Sequence, residues 1–211
     1  MLIADVIMRN IIVATTNNGK FEEIKGALAR EFDAFYSLRD FPEKIEVKED
    51  SRLYVENAIK KARKIGERFG LYTIADDSGL EVEALGGRPG VHSSRYGKND
   101  DDRINRLLAE LRDVPWEKRS AIFKAYIACY IPEKEISYVF YGFLKGFIGF
   151  ERKGKGGFGY DPVFFVPELN KYVAELTRDE KNRVSHRGRA LYAFKDFIRG
   201  DFFSNSRALN L

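Results

Sequence analysis

Leu71-Tyr72-Thr73-Ile74-Ala75-Asp76-Asp77-Ser78-Gly79-Leu80 is the stretch on which the reading of the fold turns. Its first five residues are mostly apolar and β-prone, which predicts a buried strand over 71–75. Asp-Asp-Ser-Gly is turn chemistry. In an open α/β sheet, ligands sit in the crevice outside the carboxyl ends of strands. Asp76 and Asp77 on such a turn, near basic groups from elsewhere, suit a magnesium–phosphate site, because Mg²⁺ takes one or two carboxylates plus phosphate oxygens and water. A solvated acidic turn has the same four residues, so the rest of the chain decides between the two.

Working outward toward the N-terminus, Val55, Ala58, Ala62, Ile65 and Phe69 repeat at helical spacing, with a cap expected at Ser51 and an end near Gly70. Lys60, Lys61, Arg63 and Lys64 read mainly as that helix's solvated face. Before it lies a charged loop over 39–50, ending in Glu46, Glu49 and Asp50. Earlier still, Asn10-Ile11-Ile12-Val13-Ala14-Thr15 predicts a buried strand, and Phe21, Ile24, Leu28 and Phe32 predict a helix. Between them, Thr16-Asn17-Asn18-Gly19-Lys20 offers backbone N–H groups and a helix N-terminus to an anion. It is not a Walker A loop, and an ordinary strand–helix turn has the same composition. A short strand is expected over 33–38. Residues 1–9 read as a leader without a signal-peptide pattern.

Toward the C-terminus, Leu80 to Leu85 alternates and predicts a separate half-exposed strand. Gly86-Gly87-Arg88-Pro89-Gly90 is a tight loop, and Asp100 is expected to cap a helix carrying Ile104, Leu107, Leu108 and Leu111. Residues 121–131 and 136–150 form the longest β-rich region, joined as a hairpin through 132–135. Their aromatics suggest an extended mixed sheet that also supports a dimer contact. Arg152-Lys153-Gly154-Lys155-Gly156-Gly157 reads as a phosphate-facing loop or a plain hairpin end. In Phe158-Gly159-Tyr160-Asp161-Pro162, an aromatic beside glycine gives a flat face for a base, and the acid can accept from purine N–H groups. Thr177 and Ser185 are expected caps of the last two helices. A break at Ser185 would bring Lys181, His186 and Arg187 to one ligand. The tail over 201–211 is uninformative.

The chain has 211 residues, enough for one large domain or two small lobes. With 36 basic and 32 acidic residues it carries a formal charge of +4, which fits a small anionic substrate and shows no long basic run for nucleic acid. The single cysteine, Cys129, rules out an internal disulfide framework and sits in an apolar stretch. No stretch approaches a membrane span, and a cytoplasmic location is the default expectation.

Taken together and in order, these motifs resemble the inosine triphosphate pyrophosphatase family, the XTP/dITP diphosphatases that remove non-standard purine nucleotides. The resemblance rests on Ala14 to Lys20, Glu56-Asn57-Ala58 with Lys61-Ala62, Ala75 to Leu80, Leu85 to Gly90, Gly156 to Pro162, Ala174-Glu175-Leu176, Glu180-Lys181-Asn182 and Ser185-His186-Arg187, and covers about 10–200. It implies an elongated α/β fold, a mixed central β-sheet flanked by helices, with two lobes and a nucleotide cleft in a single domain over 10–200, usually a homodimer. The implied reaction is NTP + H₂O → NMP + PPi on ITP, dITP and XTP with Mg²⁺.

By matching position, Thr15, Thr16, Asn17, Asn18, Gly19 and Lys20 hold the triphosphate. Glu49 is a metal ligand, and Asp77 is both metal-linked and the proton acceptor. Ser78 touches substrate. Phe158, Gly159, Tyr160 and Asp161 hold the base, and Lys181, His186 and Arg187 complete the purine pocket. Lys61 and Arg95 are phosphate neighbours, beside the second acid, Asp76. Thr16 stands where glycine is frequent, and Tyr160 replaces a tryptophan of some relatives with stacking retained. Donors on His186 or Arg187 would meet O6 of hypoxanthine or xanthine and face the amino group of adenine badly. No stable nucleic-acid partner is expected. Two rivals stand beside this reading: a related pyrophosphatase of modified pyrimidine nucleotides, and a non-catalytic nucleotide- or single-strand-binding protein using Arg152 to Lys155.

Overall fold

The computed structural model describes residues 10–43 and 45–202. The leader at 1–9 and the tail from 203 onward lie outside the described residues. The chain builds a seven-stranded mixed sheet in the order β2-β1-β3-β4-β5-β6-β7. The strands are β1 (Asn10–Val13), β2 (Ala34–Ser37), β3 (Tyr72–Val82), β4 (Ser120–Ile131), β5 (Ile136–Ile148), β6 (Phe164–Val166) and β7 (Lys171–Tyr172). β1 pairs parallel with β2 and β3, and every later pairing is antiparallel. Five α-helices accompany the sheet: α1 (Asn18–Leu28), α2 (Tyr54–Phe69), α3 (Asp100–Glu110), α4 (Arg178–Val184) and α5 (His186–Phe197). The expected mixed α/β sheet is therefore what forms.

Side-chain alternation along the strands divides the core. Ile11, Val13 and Ile74 pack with Ile24 and Leu28 of α1 and Phe194 of α5. Ile12, Ala14 and Ala75, one residue out of step, pack with Ala58, Ala62 and Ile65 of α2. Successive strand residues point to opposite faces, so α1 and α5 cover one side of β1 and β3 and α2 covers the other. Farther along β3, Leu80 and Val82 join Ile104 and Leu107 of α3 and Phe164 of β6 in a third cluster. Each fully buried aliphatic side chain contributes about 1.5–3 kcal/mol by leaving water. Cys129 is buried in the sheet, where desolvation pushes its thiol up to about 12.

β3 corrects the sequence reading. It does not stop at Asp76, and 80–85 is not a separate strand. One strand runs from Tyr72 to Val82, with Thr73 opposite Tyr130 at one end and Val82 opposite Ala121 at the other. The unbroken ladder with β4 overrides the turn propensity of Asp-Asp-Ser-Gly, because strand preference depends strongly on tertiary context. Gly79 has a packing role there: a Cβ would lie 2.3 Å from the Gly90 carbonyl oxygen, where the 3₁₀ turn Gly90–Arg95 docks on the strand. The crevice outside a strand's carboxyl end belongs instead to β1, whose pairing with β3 ends at Val13 opposite Ile74. Asp76, Asp77 and Ser78 lie on β3 just beyond that end.

Two expected caps move. Leu53 precedes α2 without a side-chain cap, while the Ser51 hydroxyl accepts from the Leu53 N–H, 3.0 Å. Asn99 rather than Asp100 caps α3, accepting from the Asp102 N–H at 2.8 Å. Thr177 and Ser185 cap α4 and α5 as expected, and Gly70 ends α2 in the left-handed conformation.

Candidate active site

The loop after β1 is held open by its own side chains. The Asn17 side chain caps α1 by accepting from the Lys20 N–H at 3.0 Å, and Thr15 Oγ1 accepts from the Asn17 N–H at 3.1 Å. Arg39, which the sequence reading missed, donates to the Thr16 carbonyl. Thr16 does not adopt a positive φ, so threonine sits there in ordinary backbone geometry. Thr15, Thr16, Asn17 and Asn18 line a recess of about 220 Å³ together with Ser37 and Arg39. The free N–H groups of the first helical turn favour an anion there.

On the α1/α5 face, Asp76 is 2% exposed. Lys20 donates to one of its oxygens at 3.0 Å and Arg187 Nε to the other at 2.5 Å. Arg187 also donates to Ser78 Oγ, 3.1 Å, and to Glu23, 2.5 Å. Glu23 in turn pairs with Lys181 at 2.6 Å, and Lys181 pairs with Asp161. Six charges thus alternate in sign from Lys20, on the loop after β1, to Asp161. Burial alone would raise the Asp76 carboxyl, but Arg187 and Lys20 outweigh it and hold the group well below the usual carboxylate range. Burial likewise acts to raise Glu23, and Arg187 and Lys181 reverse that. For Lys20, burial lowers the ammonium and Asp76 offsets part of the drop. Asp161 is raised by burial, with Lys181 opposing.

On the α2 face, Asp77 is 6% exposed. Asn57 donates to its Oδ2 at 3.0 Å. Burial raises the Asp77 carboxyl, against the pull of Lys61, Lys20 and the Asn57 N–H, which moves it in the direction a general base needs. Lys61, one turn after Asn57, pairs with Glu49. Arg95 donates to the Glu49 backbone carbonyl at 3.4 Å. Glu49, Lys61, Asp77 and Arg95 therefore converge. Among the described residues no group of three or more His, Cys, Asp or Glu could hold a metal. Magnesium needs only one or two carboxylates when phosphates complete its shell, so Glu49 and Asp77 fit it by donor type.

The second half of the site is a cleft of about 80 Å³, whose lining includes Lys20, Ser78, Phe158, Gly159, Asp161, Lys181, His186 and Arg187. Small-molecule pockets commonly span about 300–1,000 Å³, so the cleft is narrow for a whole nucleotide. Phe158 closes the cleft against the phosphate loop: a Cβ on Gly19 would lie 2.5 Å from its ring. The Lys181 ammonium sits 4.6 Å from the centre of the same ring. Tyr160 lines the cleft as well. It is 5% exposed, and its hydroxyl donates to the Ser93 carbonyl at 3.0 Å, which props the wall while Phe158 supplies the flat surface. His186 stacks on Phe123, ring centres 4.7 Å apart. Burial holds its imidazole well below the usual value, so the ring is neutral, and its buried Nδ1 has no hydrogen-bond partner. The break at Ser185 does bring Lys181, His186 and Arg187 to one cleft.

A model of the Ham1 family matches residues 11–197. The chain belongs to the Ham1 family. A dITP/XTP pyrophosphatase of Geobacter sulfurreducens is 48% identical over 194 residues, covering 90% of this chain and 97% of that protein. The protein of the same name in Halalkalibacterium halodurans is 46% identical over 187 residues, covering 87% and 96%. The solved structure of a HAM1 protein from Coxiella burnetii matches with a TM-score of 0.80 at 38% identity, covering 91% of this chain and 99% of that one. The Ham1 match runs from before the phosphate loop to beyond Arg187, so the family likeness includes every group described above.

Arg152, on a stretch read as a phosphate-facing loop or a plain hairpin end, is engaged by Asp101 and Asn105 of α3 and does not line the cleft. A groove of about 820 Å³ between α1, α4 and α5 contains none of the predicted site residues. Besides Arg39, sequence reasoning missed Glu23, and it named Asn57 within the Glu56-Asn57-Ala58 motif without giving it a role. Glu23 lies three residues after Lys20, on the same helix face.

Proposed function

We propose that this protein is a nucleoside triphosphate pyrophosphohydrolase that converts ITP, dITP and XTP to the monophosphate and pyrophosphate, sanitising the nucleotide pool. The observation that carries the reading is the two-ended site on one loop. At one end, Lys20 of the loop after β1 pairs with Asp76, and its charge also reaches the buried, raised carboxyl of the next residue, Asp77. At the other, the same loop packs on Phe158, which opens toward Lys181, His186 and Asp161. The triphosphate lies along the loop and the purine in the cleft. Asp77 accepts a proton from the water that attacks the α-phosphorus. Lys20 and the N–H groups of α1 offset charge on the departing pyrophosphate. Glu49 and Asp77 would hold Mg²⁺, which supplies charge neutralisation and a more acidic water.

Selectivity rests on His186. Arg187 is already committed to Asp76, Glu23 and Ser78, whereas the neutral imidazole has a nitrogen to spare and can present an N–H to O6. The commitment of Arg152 to α3 argues against the single-strand-binding reading. A homodimer is part of the proposal: Tyr141 and Phe143 of β5 are exposed at 43% and 36%, and a second copy would cover them. A cytoplasmic setting is part of it too; among the described residues no helix is long and apolar enough to cross a membrane. The function is tested by pyrophosphate and orthophosphate release from ITP, XTP, dITP, GTP, ATP and dUTP, with and without Mg²⁺. Metal-dependent pyrophosphate from ITP and XTP with little from ATP supports it. Preferred turnover of dUTP would favour the pyrimidine rival, and absence of turnover a binding protein.

A further inference from the structure

Asn57 is 1% exposed, and its side chain is nearly saturated with hydrogen bonds. Its Nδ2 donates to Asp77 Oδ2 at 3.0 Å and to the Ser51 carbonyl at 3.2 Å, and its Oδ1 accepts from the Ser51 N–H at 3.1 Å. The bonds fix the amide's orientation. A flip would set Oδ1 against a carboxylate and a carbonyl and the NH₂ group against an N–H. Ser51 ends the segment that carries Glu49, two residues earlier. Asn57 therefore spans the two places from which the acids of the site arise, β3 and the loop before α2. Lys61, on the next turn of the same helix face, grips Glu49 itself.

We infer that Asn57 is a positioning residue for the hydrolysis, fixing the Asp77 carboxylate and the Glu49 segment relative to each other. By occupying Asp77 Oδ2 it leaves the other oxygen to face water or metal. By holding both sides of the Ser51 peptide it keeps Glu49 within reach of Asp77 when a triphosphate arrives. It touches neither the phosphate loop nor the base cleft. The inference rests on the proposed role of Asp77.

The test compares wild type with Asn57→Ala, Asn57→Asp and Ala62→Gly. The last weakens the same helix without touching either acid. With ITP at saturating Mg²⁺, both Asn57 variants are expected to lose about 10–100-fold in kcat, the usual cost of removing an outer partner of a metal site. Their KM should stay within about threefold, as expected when an interaction made only in the transition state is lost. Ala62→Gly should keep wild-type kcat below its melting temperature. Calorimetry with a non-hydrolysable ITP analogue gives a second readout. Metal-free affinity should be unchanged in the Asn57 variants, and about tenfold more Mg²⁺ should be needed to reach the same metal-supported affinity. Asn57 variants that behave like Ala62→Gly, less stable but with full kcat, would overturn the inference, as would a rise in KM alone. A wild-type protein inactive on ITP would instead overturn the functional reading on which the inference depends.

Discussion

Asp76 and Asp77 are consecutive in the chain and face opposite sides of the same sheet. Asp76 anchors Lys20 and Arg187 under α1 and α5, while Asp77 meets Asn57 and lies near Lys61 on the α2 side. Period-2 alternation on β3 makes the division unavoidable. One acid is therefore structural and the other free for chemistry, and the two should respond differently to the same substitution.

Asp77→Asn keeps shape and removes the base. Turnover of ITP should fall by about 10²–10⁴-fold, the usual contribution of a positioned general base. Metal-free binding of ITP, measured by calorimetry, should persist. Retained turnover would remove Asp77 from the mechanism.

Asp76→Asn should act on stability. Taking one partner from a buried ionic group costs about 3–5 kcal/mol, readable as a lower urea midpoint. The folded-state carboxyl of Asp76 is depressed, so its contribution is complete above the unfolded value near 4 and is lost as pH falls through lower values. The gap between wild type and variant should be widest near neutrality and narrow below about pH 4. A gap independent of pH would contradict the ion-pair account.

His186→Ala should erode selectivity. A mismatched buried donor costs about 1–3 kcal/mol, so the ITP-to-ATP ratio of kcat/KM should drop by roughly 5- to 150-fold. Because burial keeps this imidazole neutral, the wild-type ratio should stay flat between about pH 6 and 8, across the ordinary histidine value of about 6.5. An inflection there would mean the ring is charged when it reads the base.

Glu49→Gln should shift the metal requirement. Loss of an outer partner already costs about 10–100-fold in metal affinity, so loss of this carboxylate should raise the half-activating Mg²⁺ concentration by at least about tenfold. A chelator should abolish turnover in the wild-type protein, and unaltered activity in excess EDTA would exclude the metal.

Much of this arrangement is legible in the sequence, and the failures have physical causes. The run Ile11-Ile12-Val13 and the helical repeat of Phe21, Ile24 and Leu28 announce β1, the loop and α1, since burial and periodicity coincide there. Ser185 between two helical patterns announces the break that groups Lys181 with His186. Asp-Asp-Ser-Gly misleads because local propensity favours a turn while the ladder with β4 and the docking of Gly90 on Gly79 require a strand. Glu23 stays hidden, and the role of Asn57 with it, because a polar residue on a helix looks solvated until distant elements supply its partners. Tyr160 lines the cleft as read, but composition does not reveal that Ser93 holds its hydroxyl.

The central claim is attack of water at the α-phosphorus beside Asp77. Hydrolysis of ITP in H₂¹⁸O, with the label followed by mass spectrometry, tests it most directly. The account predicts one ¹⁸O in the inosine monophosphate and none in pyrophosphate. Label in pyrophosphate would mean attack at the β-phosphorus, and labelled orthophosphate would mean attack at the γ-phosphorus. Either result would contradict the placement of the base and of the triphosphate along residues 15–20.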